Sequence, residues 1–538
     1  MKSKTDHEVI VVGAGVSGIY QIKLLTDLGF NAIVLEGDSD LGGTWYRNRY
    51  PGCRFDSESY TYGYSFSKEV LEEWHWKERF SPQPETLRYL NFVAEKFNLR
   101  SYMRFNARVK SMRWIEGLRH WCLNLDNGDV VTTRFVISGM GVLSTPTLPK
   151  YDGMDEFVGR SFHTYYWPKE PVELEGKRVA VIGTGATGIQ VISAIADKVD
   201  SLTVFQRRPN WTTPLNNSLI TEQEMAVIRA RYDEIFANCS ESPNGFEHRP
   251  DRRGFWRLTK EQRTELWSEL YKTSGFAISA ANFPEIFFEV EANKEMSDFI
   301  AERIRERVKD PRVAEKLIPK DHGFATQRLP LETNYFEVYN RDNVHLVDAN
   351  EEPIDRITTK GIQTSDSHYD FDLIIYATGF DAITGAYEKV DVQGVDGMSL
   401  KRKWEDQPNT YLGLSTSDFP NMFMIAGPQG IAGSTNFPRA IELGVEWITD
   451  LLILARDKGY TRLDVQSAGE KEWHEETVVA HERLLSRNSK GWFTGYNSNV
   501  EGREEGKVRY HAYFGGVPSY RKRIKHAATE GYKFFDMS

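Results

Sequence analysis

Two stretches of the chain share one rhythm of apolar and polar positions. Residues 7–35 open with the apolar run HEVIVVG and turn through GAGVSG. They continue as IYQIKLLTDLG at helical spacing and return to β-branched and apolar residues in FNAIVLEG. Residues 177–205 repeat the order with KRVAVI, GTGATG, IQVISAIADKV and SLTVF. An apolar run, a glycine turn, a helical face and a second apolar run predict a strand–turn–helix–strand unit of dinucleotide-binding length. Further apolar runs predict a later strand for each unit, RFVISGMG from residue 134 and FDLIIYATGFD at 371–381. Residues 411–430 read as strands that complete the first unit. From 216 to 325 the rhythm changes to Glu-, Arg-, Lys- and Trp-rich sequence with helical spacing, as in SDFIAERIRERVKD. The expected fold class is α/β, with two Rossmann-like domains and a mostly helical insertion in the second.

Composition narrows the partners. At 538 residues the chain is too long for one ordinary domain. Its formal charge of −10 argues against a nucleic-acid partner, which requires a basic surface. Cys53, Cys122 and Cys239 are far apart and form no CxxC, so neither a disulfide framework nor a dithiol redox centre is expected. No His/Cys/Asp cluster has metal-ligand spacing, so no metal is expected. The opening MKSKTDHEVIVVGAG lacks a signal-peptide pattern. No apolar run reaches the ~18 residues of a membrane span. The expectation is a cytoplasmic protein, monomeric or weakly oligomeric. The charged stretch HRPDRRGFWR (248–257) reads as solvated surface.

Each glycine turn follows a strand run and precedes a helix, the context that makes the motif specific. Gly13 allows the tight turn, with Ala14 beside it; Gly15 admits a pyrophosphate, and Gly18 lets the helix pack closely. Gly183, Thr184, Gly185 and Gly188 repeat the arrangement, and Thr184, Gly185, Gly188 and Gln190 are expected to line this second phosphate turn. The second strands end differently. Glu36, 18 positions after Gly18, offers a carboxylate to ribose hydroxyls. Arg207, 19 positions after Gly188, has Arg208 beside it, and two guanidinium groups suit a 2′-phosphate. FAD is therefore assigned to the first domain and NADPH to the second. The FAD domain is expected to comprise 1–150 and 381–538, the latter with a mobile C-terminal loop. The linker strip and first part of the NADP domain span 151–215, the insertion 216–325, and the second part 326–380.

Two longer motifs carry a family resemblance. FVGRSFHTYYWP (157–168) fits F-x-G-x-x-x-H-x-x-x-W-P through Phe157, Gly159, His163, Trp167 and Pro168. Gly42-Gly43-Thr44-Trp45, Tyr50-Pro51-Gly52 and Asp56 fit G-G-x-W-x-x-x-x-Y-P-G-x-x-x-D. The chain resembles the type I Baeyer–Villiger monooxygenases over essentially its whole length, closest to the phenylacetone, cyclohexanone and steroid group. The resemblance implies an FAD- and NADPH-dependent enzyme that inserts one atom of O2 beside a ketone carbonyl, through a C4a-peroxyflavin, to give an ester or lactone. It implies Arg328 as the cation that stabilises the peroxide and the adduct, positioned by Asp56. His163 and Trp167 fall in the strip that links the domains and acts in their movement. Thr44, Trp45 and Tyr62 match flavin contacts, and Val109 a backbone contact to the adenine part of FAD. Trp492 matches a loop tryptophan that closes over NADP. Ile431 and Phe437 match the loop that shapes the ketone pocket. The family often places Lys before its catalytic arginine, against the 2′-phosphate; here Gln327 stands there, and Arg208 is expected to compensate. A related flavin monooxygenase acting on N or S heteroatoms is the alternative. It shares the glycine turns but lacks the motif ending in Asp56.

Overall fold

The computed structural model describes residues 5–503 and 507–538. Two sheets organise them. In the first, His7–Val12 runs parallel to Ala32–Leu35 on one side and to Val130–Ser138 on the other. Val9, Ile10 and Val11 are fully buried, as expected of a parallel strand covered on both faces. Val130–Ser138 changes partner along its length. Its first half pairs antiparallel with His120–Leu125, and its last three residues pair parallel with Met422–Met424. The apolar run 411–430 thus contributes one three-residue strand, and its earlier part forms only isolated bridges at Tyr411 and Ser415. The reason is local: Leu412, Asp418 and Asn421 have positive φ and bend the chain out of an extended path.

The second sheet is wholly parallel, in the order Val344–Asp348, Ser201–Gln206, Arg178–Ile182, Leu373–Tyr376 and Arg160–His163. Its edge strand comes from the aromatic strip. The sequence reads that strip as a connection between domains; the backbone makes Arg160–His163, a third of it, a strand, with Ser161 opposite Ile374 and His163 opposite Tyr376.

Residues 222–317 are mainly helical, with Glu222–Ala230, Tyr232–Glu241, Lys260–Lys272, Val290–Arg307 and Pro311–Leu317. Thr221 with Glu224 and Thr259 with Gln262 form capping boxes, which satisfy the first amides of two of these helices. The helix Phe437–Lys458 lies against Val16–Asp27, where Gln21 donates to Thr449 and Tyr20 to Glu446. That contact ties the C-terminal third of the chain to the first glycine turn. Among the described residues, no helix is long and apolar enough to cross a membrane.

Candidate active site

Both glycine turns are built alike. Gly13 and Gly183 have φ of +105° and +108°, a region that disfavours any side chain. A Cβ on Gly13 would stand 2.6 Å from the Gly139 carbonyl oxygen, and one on Gly183 2.5 Å from that of Ala377. Each turn is therefore wedged between its own helix and the end of a neighbouring strand. Helices Val16–Asp27 and Ala186–Ile195 then start with free backbone N–H groups facing outward, where a pyrophosphate is favoured. A Cβ on Gly185 would meet nothing within 4 Å, so the backbone lies open to an approaching ligand.

At the first turn, Glu36 is only 8% exposed. Its carboxylate accepts from the N–H of Ala14 (2.7 Å) and of Asp38 (2.8 Å). Burial pushes its pKa up, against the pull of the Ala14 N–H, Arg108 and Arg47. A buried carboxylate beside a glycine turn fits a ribose diol, whose hydroxyls donate to it. A Cβ on Gly15 would stand 3.6 Å from the Gly43 Cα, so the backbone ahead of Thr44 and Trp45 lies against the same turn. Trp45 donates its indole N–H to the Tyr62 hydroxyl at 3.0 Å, and Phe55 stacks on Tyr62 at 4.2 Å. Val109 begins a strand antiparallel to His120–Leu125 and is buried with Leu35 and Ala107 at the foot of the Glu36 strand.

The segment from Tyr50 to Asp56 crosses to the second unit. Tyr50 donates to the Gln190 side chain (2.9 Å), and Gln190 donates to the Arg54 carbonyl (3.0 Å). A Cβ on Gly52 would stand 2.5 Å from the Gln190 carbonyl, so only glycine permits this approach. Gln190 is therefore an inter-unit fastener and does not line the nucleotide cleft, where the sequence reading places it. The crossing delivers Asp56 to Arg328. Arg328 Nη2 donates to Asp56 Oδ2 at 2.5 Å, and Nη1 donates to the Leu329 carbonyl. Arg328 is held from behind as well, because Asn210 donates to its backbone carbonyl at 3.1 Å. The guanidinium stands 5.3 Å over the Phe276 ring, and Phe276 packs on Phe246 at 4.9 Å. A fixed cation beside an aromatic wall can receive a developing oxyanion on an apolar molecule.

The second turn opens on a cleft of about 330 Å³. Thr184, Gly185, Arg207, Arg208, Gln327 and Trp492 line it. Thr184 donates to the Arg208 carbonyl at 3.0 Å, which fixes the end of the Ser201–Gln206 strand over the turn. The Gln327 side-chain nitrogen and His322 Nε2 are buried without a partner among the described residues. Two orphaned buried groups, two arginines and an open glycine turn fit an anionic dinucleotide.

His163 is 2% exposed and sits at the junction of both units. Its Nδ1 accepts from the Tyr165 N–H (3.1 Å), so the ring proton lies on Nε2 and is donated to the Gly379 carbonyl (3.1 Å). Burial pulls its pKa down to about 4 despite that carbonyl, and the ring is neutral at ordinary pH. His163 thus joins the aromatic strip to the turn that follows the Leu373–Tyr376 strand. Trp167 packs edge-on to Phe162 at 4.8 Å. Ile431 is buried, and Phe437 opens the long helix and is half-buried; neither lines the nucleotide cleft.

Sequence reasoning missed several groups. Phe246 and Phe276 lie in the helical insertion, with no motif around them. His248 was assigned to solvated surface, yet its Nε2 is 2.9 Å from Glu58 Oε1, and Glu58 is 2% exposed. Arg503 is buried against Asp381, Thr384 and Glu388. Lys490 also lines the second cleft, and its one sequence signal is its place two residues before Trp492.

Comparisons with known proteins agree with this geometry. A flavin-binding monooxygenase-like family model matches residues 6–242. The chain is 43% identical to 2-oxo-Δ3-4,5,5-trimethylcyclopentenylacetyl-CoA monooxygenase of Pseudomonas putida, across 99% of this chain and 98% of the relative. It is 39% identical to the methyl acetate-forming acetone monooxygenase of Gordonia sp. strain TY-5, across 100% of both. The crystal structure of OTEMO in complex with FAD and NADP matches with a TM-score of 0.96 at 42% identity, covering 100% of each chain.

Proposed function

The chain belongs to the Baeyer–Villiger monooxygenases, flavin enzymes that use FAD and NADPH, and from that premise we propose that it oxygenates an apolar ketone held between Arg328 and the Phe246–Phe276 wall. One observation carries the proposal: the 2.5 Å contact between Arg328 and Asp56, residues from two different units, beside that wall. Bound FAD and NADPH supply the reduction and the activation of O2, and one oxygen atom enters beside the carbonyl to give an ester or lactone.

The protein's own groups then orient and stabilise. Arg328 keeps its charge at any working pH. Asp56 and the Leu329 carbonyl take two of its donor directions, which turns the remaining N–H groups toward the pocket. With the cofactors bound, those donors would stabilise negative charge developing on the substrate's carbonyl oxygen, an interaction stronger in the transition state than in the ground state. Phe276 and Phe246 offer an apolar surface to the substrate beside the cation. Glu36 holds the ribose of FAD, and the strand-end arginines favour NADPH over NADH. Ile431, ahead of the long helix, and Phe437, at its start, shape the pocket, on a segment whose Asn436 N–H donates to the Asn244 carbonyl at 2.8 Å, two residues before Phe246.

Product analysis tests this reading. The holoenzyme with NADPH and isotopically labelled O2 is offered cyclic, aromatic and aliphatic ketones, together with a tertiary amine and a thioether. Esters or lactones carrying one labelled oxygen establish the ketone reading. N-oxides or sulfoxides as the only oxygenated products replace it with heteroatom oxygenation. Oxidant consumption with no ketone product across the panel rejects the apolar-ketone pocket.

A further inference from the structure

Three cations from two separate chain segments converge on one corner of the nucleotide cleft. Arg207 and Arg208 end the Ser201–Gln206 strand, and Lys490 comes from the C-terminal loop; all three line the cleft. Arg208 and Lys490 flank one ring: the Arg208 guanidinium is 5.2 Å from the Tyr496 ring centre and the Lys490 ammonium 5.9 Å. The loop is fastened at this corner. Arg208 Nη1 donates to the Lys490 carbonyl (3.1 Å), Arg207 Nη1 to Ser498 Oγ (2.5 Å), and Ser489 Oγ to the Thr326 carbonyl (3.0 Å). A Cβ on Gly491 would be 3.6 Å from the Gln327 side chain, so the loop backbone lies on that glutamine.

The charges here are poorly balanced. Among the described residues the one carboxylate paired with them is Asp321, whose Oδ2 is 3.8 Å from Arg208 Nη1 and whose Oδ1 also pairs with His322 Nδ1 at 2.7 Å. Neither Arg207 nor Lys490 has a carboxylate partner among the described residues. Three like charges held together by backbone and hydroxyl contacts form a site of net positive charge. The buried, unpartnered Gln327 nitrogen adds a neutral donor at the same place.

We propose that Lys490 is a ligand of the NADPH 2′-phosphate, and that this contact couples recognition of the phosphate to docking of the loop that carries Trp492. Arg207 and Arg208 sit on the rigid strand and bind the phosphate with the loop open or docked. Lys490 reaches it only when the 489–491 backbone rests on Thr326 and Gln327. The phosphate therefore favours the docked loop by the affinity Lys490 contributes, and NADH, which lacks it, does not. Gln327 supplies no charge here, and the loop brings the third cation instead. The inference rests on the assignment of NADPH to this cleft.

The test uses FAD-loaded enzyme with the non-reacting ligands NADP+ and NAD+. Binding is measured by titration calorimetry, and loop docking by hydrogen exchange of residues 485–500. For the wild type, NADP+ binds more tightly than NAD+ and protects the loop more. Lys490→Met weakens NADP+ about fivefold, leaves NAD+ unchanged, and makes the two ligands protect the loop equally; Lys490→Arg restores both effects. Unchanged NADP+ affinity in Lys490→Met, or equal loop protection by both ligands in the wild type, overturns the proposal. A wild type that does not prefer NADP+ overturns the NADPH assignment beneath it as well. A wild type that prefers NADP+, with a Lys490→Met variant that keeps the full preference, sinks only the role of Lys490.

Discussion

Arg503 is the residue whose loss has the most calculable consequence. Its guanidinium, 5% exposed, pairs with Asp381 and Glu388 and donates to Thr384 Oγ1 at 2.9 Å. It pins the C-terminal loop to residues 381–388, while Asn497 donates to the Phe380 carbonyl nearby. Burial raises the pKa of Asp381 even with Arg503 beside it, so desolvation outweighs the attraction between them. The pair thus adds little net stability while intact and is costly to break. Arg503→Met strands the Asp381 carboxyl, 7% exposed, without its cation. The expected cost at pH 7 is about 3–4 kcal/mol. Protonation sets a ceiling: taking up a proton at pH 7 on a carboxyl that ordinarily titrates near 3.9 costs about 4 kcal/mol. That ceiling falls by about 1.4 kcal/mol per unit of pH, so the defect shrinks by roughly 2 kcal/mol on going from pH 7 to pH 5.5. The sign follows from a folded-state pKa raised above the unfolded one. The protonated form carries the stability, and stability is lost as pH rises toward the raised value. The loss appears in the cheapest opening, as faster amide exchange at residues 495–503, with a lower unfolding midpoint if the loop is integral to the fold. Asp381→Asn added to Arg503→Met restores most of the loss, since the buried partner is then neutral and Glu388, 33% exposed, is still reached by water. A cost below about 1 kcal/mol at pH 7, or one that ignores both pH and Asp381→Asn, refutes the reasoning.

Arg328→Ala leaves oxidation of NADPH running but lowers ester formation about 10²- to 10³-fold, the usual loss for one oxyanion donor, read as product formed per NADPH consumed. Glu36→Gln loses charge-assisted acceptance of the Ala14 and Asp38 N–H groups; FAD binding weakens by about 1.5–3 kcal/mol, measured by flavin release on dilution. His248 has a raised pKa: burial opposes the charge, but the Glu58 hydrogen bond and the charges of Glu58 and Glu247 outweigh it, with Arg79 acting against them. Stability from this pair is complete below the unfolded pKa near 6.5 and is lost as pH rises through the raised folded value. His248→Gln removes that slope from the unfolding midpoint measured between pH 6 and pH 9, and an unchanged slope assigns it elsewhere.

Several features follow from the sequence by itself. Unlike the wedging of the turns by Gly139 and Ala377, the strand–glycine–helix–strand units, the Gly13 and Gly183 turns, and the acidic and basic strand ends at Glu36 and Arg207 each lie within about thirty residues of chain. At that range, hydropathic period and backbone sterics act directly, and they leave the same mark in sequence and structure. Resemblance to a family named Asp56 and Arg328 as partners. Their 2.5 Å contact across 272 residues exists because Tyr50 and Gly52 dock on Gln190, a fit that no local pattern encodes. The aromatic strip reads as a connection because its apolar alternation is short; pairing with Leu373–Tyr376, two hundred residues on, makes it an edge strand. His248 lies in a charged run and has the composition of surface, and only the packing of the insertion against Glu58 takes it from water. Lys490, Tyr496 and Arg503 are polar residues of a loop by every sequence measure. Tertiary structure alone decided that they meet the second cleft, because long-range contacts are chosen by shape and charge across the folded chain, not by the spacing of residues along it.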